Sequence, residues 1–207
     1  MGDPKVPPIG PRIRAERARR EVTIRALARD IGVSPSLISQ IETGKSQPSV
    51  STLYAMTTAL GLSLEDLFAP AAAEVPAPAE AVAAGDYAWP ASLPAHRLGP
   101  HVRPEDRTCL TLDTGVTWER LGQLQPHTTD FLLVTYPPGA SSSSSAGLMR
   151  HSGSEYGYVL AGELTLTLGF EEIRLAPGDA VSFESATPHR YRNDGPEPAT
   201  GVWFVAG

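Results

Sequence analysis

The chain holds a single cysteine, Cys109, in 207 residues. One thiol cannot build an internal disulfide framework or a multi-cysteine zinc site. It fits a reducing compartment. Long hydrophobic runs are also missing. No apolar stretch approaches the roughly 18 residues that would cross a bilayer as a helix, so no membrane span is expected. The segment Met1–Arg20 is basic and bears prolines, without the apolar stretch of a secretory signal, and a cytoplasmic location is expected. Aromatic residues make up only 7% and charged residues 19%, and the formal net charge of −6 taken alone speaks against a nucleic-acid partner.

What is present changes that picture. Apolar residues reach 41%, enough to build a core. At roughly 100–200 residues per domain, the length allows one large domain or two small ones. The charge is unevenly spread. Residues 1–69 carry nine Lys/Arg against seven Asp/Glu, and residues 70–207 carry eight against sixteen. Such asymmetry suggests that only the N-terminal part meets a polyanion. Between the halves, 69–85 reads APAAAEVPAPAEAVAAG, with Pro70, Pro76 and Pro78. Repeated proline breaks helix and favours an extended linker. This divides the chain into 1–68, a linker over 69–85, and 86–207. The serine run at 141–145 is expected to be a loop tip.

Upstream of the linker, apolar residues recur every three to four positions, as in helices. One helix is expected over 12–20. A second follows Thr23 as N-cap, with Ile24, Leu27, Ala28 and Ile31 on one face. Ser34-Pro35 opens a third, which stops at Gly44. Ser49 caps a fourth, with Val50, Leu53, Met56 and Leu60 inward and Gly61 at its end. A last turn or two is expected over 63–68. Two short helices joined by a glycine-containing turn describe a helix-turn-helix. On the third helix Ile38 and Ile41 face the core, which leaves Ser36, Leu37 and Gln40 outward, on the part that enters a major groove. Glutamine pairs bidentately with adenine, and Leu37 suits a thymine methyl. Ser34, Thr43, Lys45 and Ser46 flank the helix with groups suited to phosphates.

Leu27-Ala28, Gly32-Val33-Ser34, Ile38, Ile41-Glu42, Gly44, Pro48, Leu53 and Ala59-Leu60-Gly61 occur together in this segment. In combination they resemble the phage-repressor-like XRE family over about residues 9–68. The resemblance implies the same DNA contacts and a structural tie between Arg17 and Glu42. One position departs from the pattern: Ile24 stands where the family often has a DNA-contacting Gln, so that contact is lost or passes to Thr23 or Arg25. Arg12, Arg14, Arg19 and Arg20 either add backbone affinity or form a solvated helix face.

Downstream, apolar residues alternate in nine short runs separated by Gly, Pro or Asp, the pattern of a sandwich or barrel. The segments MRHSGSEYGYVLAGE at 149–163 and GDAVSFESATPHRYRN at 178–193 resemble the two motifs of the cupins, small jelly-roll barrels. The expected fold is therefore α + β in two domains, an all-α helix-turn-helix domain followed by an all-β cupin. In the cupin pattern the metal ligands fall on Met149, His151, Glu155 and His189, with methionine in place of the first histidine. Gly162 and Asn193 also match, while Glu184-Ser185-Ala186 replaces the usual Pro-x-Gly. Two imidazoles and a carboxylate suit one divalent Zn, Fe or Ni ion. They equally suit a hydrogen-bonded polar cluster lining an organic-ligand pocket. Tyr156, Phe183, Tyr191 and Trp203 are candidate pocket residues. His96, His101 and His127 lie outside the motif, and Cys109 reads as a small buried hydrophobe.

Together these features describe a DNA-binding transcriptional regulator, by resemblance a repressor. Its expected partners are a near-palindromic double-stranded operator, a small-molecule or metal effector and a second copy of the chain. The alternative is a non-haem iron oxygenase or epoxidase that uses His151, Glu155 and His189 and carries the helical domain as an appendage.

Overall fold

In the computed structural model, residues 9–62, 67–68, 101–122, 129–144 and 147–206 are described. The linker at 69–85, His96 and His127 lie outside them, as does most of the turn expected over 63–68; of that turn Leu67 and Phe68 are described, and both are buried.

Four helices come first: α1 (Ile9–Arg19), α2 (Ile24–Asp30), α3 (Pro35–Glu42) and α4 (Val50–Leu60). Their ends follow the expected caps. The hydroxyl oxygens of Thr23, Ser34 and Ser49 accept the N–H groups of Ala26, Leu37 and Thr52 at 3.1, 3.1 and 3.2 Å. Each cap of this kind contributes about 1 kcal/mol. Gly61 closes α4 with φ 52°, a left-handed conformation that glycine adopts without a Cβ clash. The inward faces meet as Ile13, Leu27, Ile38, Ile41, Leu53, Met56 and Leu60, all at most 1% exposed. Val50 departs from the expectation. It faces the second domain, because α4 is apolar on two sides and packs on α1 and α2 with one of them.

Among the described residues the second domain holds nine strands: β1 (Cys109–Thr111), β2 (Thr117–Gly122), β3 (Thr129–Tyr136), β4 (Ser154–Ala161), β5 (Leu164–Leu168), β6 (Glu171–Leu175), β7 (Ala180–Glu184), β8 (His189–Arg192) and β9 (Ala199–Ala206). They form two antiparallel sheets, ordered β1-β2-β3-β9-β4-β7 and β6-β5-β8. Alternation along each strand sends one row into the space between the sheets. On β4 that row is Glu155, Gly157 and Val159, all buried, while Tyr156, Tyr158 and Leu160 are exposed.

Two glycines make room for one large ring. A Cβ on Gly157 would stand 2.7 Å from the Trp203 ring, and one on Gly201 would stand 2.3 Å from it and 2.5 Å from the Tyr158 carbonyl oxygen. The indole therefore lies flat over bare backbone. Asn193 closes the strand ends, donating to the Tyr136 and Glu197 carbonyls at 2.8 Å each and accepting from the Gly195 N–H at 2.9 Å. Of the serine run, residues 141–144 are described, and these are not the expected loop tip. Ser141 bridges to Arg192, and Ser142 is fully buried, its hydroxyl accepting the Tyr191 N–H at 3.1 Å. Short hydroxyl side chains suit this position because they can satisfy strand N–H groups in the interior.

Candidate functional sites

The first site is the outer face of α3. With Ile38 and Ile41 in the core, Ser36 and Gln40 are exposed and Leu37 is half-buried. Thr23, Arg25, Ser34, Thr43 and Lys45 are exposed around them, and Ser46 is half-buried. Several hydroxyls in this set also serve the helices. Thr23 and Ser34 are caps, and the Thr43 hydroxyl donates to the Ser39 carbonyl at 2.8 Å. The end of α3 is held from behind. Arg17 on α1 forms a two-pronged ion pair with Glu42, 2.5 and 2.9 Å long, and its third nitrogen donates to the Val22 carbonyl at 2.8 Å. Arg19 and Arg20 are both engaged by Glu16. Their pairing also holds the Glu16 carboxyl down at about 2.

The second site is inside the barrel. His151 precedes β4, Glu155 is on β4 and His189 opens β8, bridged across to Met149. The three side chains are buried and offer ligand atoms that lie within 4.8 Å of one another. His151 Nε2 and His189 Nε2 stand 2.8 and 2.9 Å from the same Glu155 Oε1. The far nitrogens are already committed. His151 Nδ1 is 3.0 Å from the Ser152 carbonyl oxygen and His189 Nδ1 is 2.8 Å from that of Thr187. A carbonyl can only accept, so both Nδ1 atoms carry hydrogen. In neutral rings both Nε2 lone pairs then face a carboxylate oxygen. The His189 Nε2 contact is also too bent to be a hydrogen bond, which leaves that buried nitrogen unsatisfied.

Three converging lone pairs are stable only with positive charge between them, either protons on the rings or a cation. The fixed tautomers are those of metal-binding histidines, whose second nitrogen donates to a backbone carbonyl. Burial alone would raise the Glu155 carboxyl, but with protons on the His151 and His189 rings their contacts outweigh it and hold the group at about 2. Its other oxygen accepts the Tyr191 hydroxyl at 3.2 Å, and the Trp203 indole N–H donates to that hydroxyl at 3.2 Å. Burial, with the Glu155 charge beside it, pushes the Tyr191 phenol well up, so it stays a donor.

Among the sequence-predicted pocket residues, Tyr191 and Trp203 line the cavity, and Phe183 meets the His189 ring edge-on at 5.0 Å. Tyr156 is not brought in. It neighbours Glu155 on a strand, so the pleat sends it to the outer face, where it is 52% exposed. His101 is exposed. Sequence reasoning missed Trp118 and Tyr136, which complete the walls, and Tyr54 of α4, whose ring lies on His151. For the two strand residues the signal was alternation itself. Tyr54 had none, since it enters from the other domain.

Comparison with known proteins agrees with this architecture. A helix-turn-helix family model matches residues 13–67, and a cupin domain model matches residues 132–205. The curated HTH-type transcriptional regulators PuuR of Escherichia coli (strain K12) and of Shigella flexneri are each 27% identical over 195 residues, covering 93% of this chain and 91% of theirs. The crystal structure of an HTH_3 family transcriptional regulator from Vibrio cholerae superposes with a TM-score of 0.60 at 22% identity, covering 97% of this chain and 95% of that one, which supports the shared fold. On these matches and the geometry above, the chain joins an XRE-type helix-turn-helix domain to a C-terminal cupin domain and is similar over nearly its whole length to HTH-type transcriptional regulators.

Proposed function

We propose that the chain is a ligand-responsive repressor. Two copies bind a near-palindromic operator, with half-sites about one helical turn, roughly 34 Å, apart. The observation that carries this reading is the exposed α3 face, with Gln40 and Lys45 outward and the end of the helix fixed by Arg17 and Glu42. Gln40, Ser36 and Leu37 read bases, while Thr23, Arg25, Ser34, Thr43, Lys45 and Ser46 hold the backbone. The units are 1–68 for DNA, 69–85 as connection and 86–207 for sensing, and the protein works in the cytoplasm.

His151, Glu155 and His189 would hold one Zn, Fe or Ni ion, which would supply a Lewis-acidic anchor for a small-molecule effector. The unsatisfied His189 nitrogen supports this assignment. The second copy meets the outer face of β4, β7 and β9. There Tyr156, Tyr158, Leu160 and Phe204 are exposed, and Tyr156 and Tyr158 pair across with Ser182 and Ala180, so the patch carries no charge at its centre. An apolar patch of this kind marks an interaction surface, and a two-fold operator calls for a second copy of the same chain.

The oxygenase reading has one observation in its favour, the same two-His, one-Glu donor set. Against it, the chain keeps an exposed reading face on α3, which an oxygenase does not need. The deciding experiment is selection of duplex DNA by the purified chain, followed by anisotropy titration of the selected sequence and of unrelated DNA at one salt concentration. Selective binding is expected. No enrichment, together with iron-dependent oxygen consumption, would overturn the regulator reading.

A further inference from the structure

The cavity of the barrel is closed by a helix of the DNA-reading domain. α4 begins at Val50, and the N–H groups of its first turn have no partner within the helix. One of them, on Ser51, donates to the Ser142 carbonyl of the barrel at 2.9 Å. Just before the helix, the Pro48 carbonyl accepts the Asp113 N–H of the barrel at 3.1 Å. Val50 and Tyr54, one turn apart, reach into the cavity from this dock. The Tyr54 ring lies flat on the His151 imidazole, with centroids 4.0 Å apart and planes 4° from parallel. Trp118 meets the same ring edge-on at 5.7 Å. Farther along, the Arg120 guanidinium of β2 stands 5.4 Å from the centre of the Phe68 ring.

The remaining space decides what can enter. The cavity measures about 20 Å³, room for about one water molecule. A metal ion between His151, Glu155 and His189 is compatible with that. An organic molecule is not, unless something leaves. Trp118, Tyr136, Tyr191 and Trp203 sit on strands held in their ladders. Among the ring-bearing residues of the wall, Tyr54 is the one whose element is not part of a sheet, and Val50 comes from the same helix.

We propose that Tyr54 is a gate between the domains: occupation of the barrel by an organic ligand and docking of α4 exclude each other. The vacated place is flat and lined by rings, with Glu155 and the two imidazoles at one end. It suits a molecule with a planar apolar body of about ring size and one polar group. A ligand of this class undocks α4 and with it repositions α3, so its effect on DNA is limited by its preference for the undocked state. The consequence at DNA rests on the regulator reading; the gate itself does not.

The test uses the full chain and residue-resolved amide hydrogen exchange, with phenol as the probe. In Tyr54→Ala the Ser51 and Asp113 amides should exchange about tenfold faster or more, because both bond across the dock. Amides of β9 and α2 should keep their rates, which shows that each domain remains folded. Phenol at millimolar concentration should speed the two amides in the parent, where it competes with the Tyr54 ring, and slow them again in Tyr54→Ala, where it fills the space that the ring has left. Tyr54→Phe should match the parent, since the stacked ring survives. If Tyr54→Ala also loses protection in β9, Tyr54→Leu, which keeps most of the apolar volume, is measured on the same two amides. Parent rates at Ser51 and Asp113 in a folded Tyr54→Ala or Tyr54→Leu chain would overturn the gate.

The second readout is affinity for the selected duplex. Tyr54→Ala should change it about threefold or more, and phenol should reverse the change. Faster exchange with unchanged affinity overturns the coupling to DNA. A parent chain that selects no duplex sinks the regulator reading instead, and amide exchange still decides the gate.

Discussion

Replacing Arg17 by methionine should cost the helical domain most of its stability. The pair it forms with Glu42 is two-pronged and nearly dry, with side-chain exposures of 13% and 4%. Removal of the guanidinium leaves a buried carboxylate with no counter-charge and strands the Val22 carbonyl. Breaking a buried pair from one side typically costs about 3–5 kcal/mol. At about 0.05–0.15 kcal/mol per residue, the whole domain has only about 3–10 kcal/mol. Urea unfolding followed by far-ultraviolet circular dichroism reads the change, and binding to the selected duplex should be lost with it. Arg17→Met/Glu42→Leu removes both charges and should recover all but about 1 kcal/mol. It should also recover most of the DNA affinity, because neither residue belongs to the outward face of α3. A loss below about 1 kcal/mol for Arg17→Met would refute the claim that this pair holds the end of α3.

Four further outcomes follow from the same geometry. Gln40→Ala should weaken specific binding by about 1–3 kcal/mol and relax preference at one base pair, whereas Lys45→Ala should weaken all sequences alike and lower the salt slope by about one, both read by anisotropy titration. Gly201→Ala should destabilise the barrel by about 1–3 kcal/mol, since the added methyl meets the Trp203 ring and the rigid Tyr158 carbonyl, and denaturation followed by tryptophan fluorescence measures it. His189→Ala should abolish stoichiometric binding of zinc or nickel in calorimetry while Met149→Ala leaves it detectable, because the converging donors are His151, Glu155 and His189. Tyr158→Glu with Phe204→Glu should turn the proposed dimer into a monomer in light scattering, by placing charge in the exposed patch.

Much of this was legible in the residues. Caps at Thr23, Ser34 and Ser49 are local devices, so they could be read before any tertiary contact was known. The nine strands announced themselves because turn residues interrupt each run. His151, Glu155 and His189 were legible because a motif fixes their spacing, although the chain bends at Gly153, between the first two, so strict alternation does not link them. Tyr156 misled for the opposite reason: aromatic character drew attention, while its place beside Glu155 already sent it outward. Ser142 and Tyr54 were not legible. One is a small polar residue inside a low-complexity run, and the other acts across domains, where neither periodicity nor motif reaches. Val50 shows the same blind spot, an apolar residue correctly judged buried but assigned to the wrong neighbour.

The Ser51 N–H bonded to the Ser142 carbonyl also has a meaning in time. A chain leaves the ribosome from its N-terminus, and domains fold as they emerge. The first four helices are complete while the serine run is still unmade. Throughout that interval water must serve Ser51, and Tyr54 and Val50 face solvent on an apolar stripe with nothing to cover them. The helical domain is thus born with an exposed seam that its own later product conceals. The newly made N-terminal half is the species most open to chaperones, to aggregation or to premature contact with DNA. Completion of the barrel ends that exposure, so maturation of the protein and closure of its cavity are a single event.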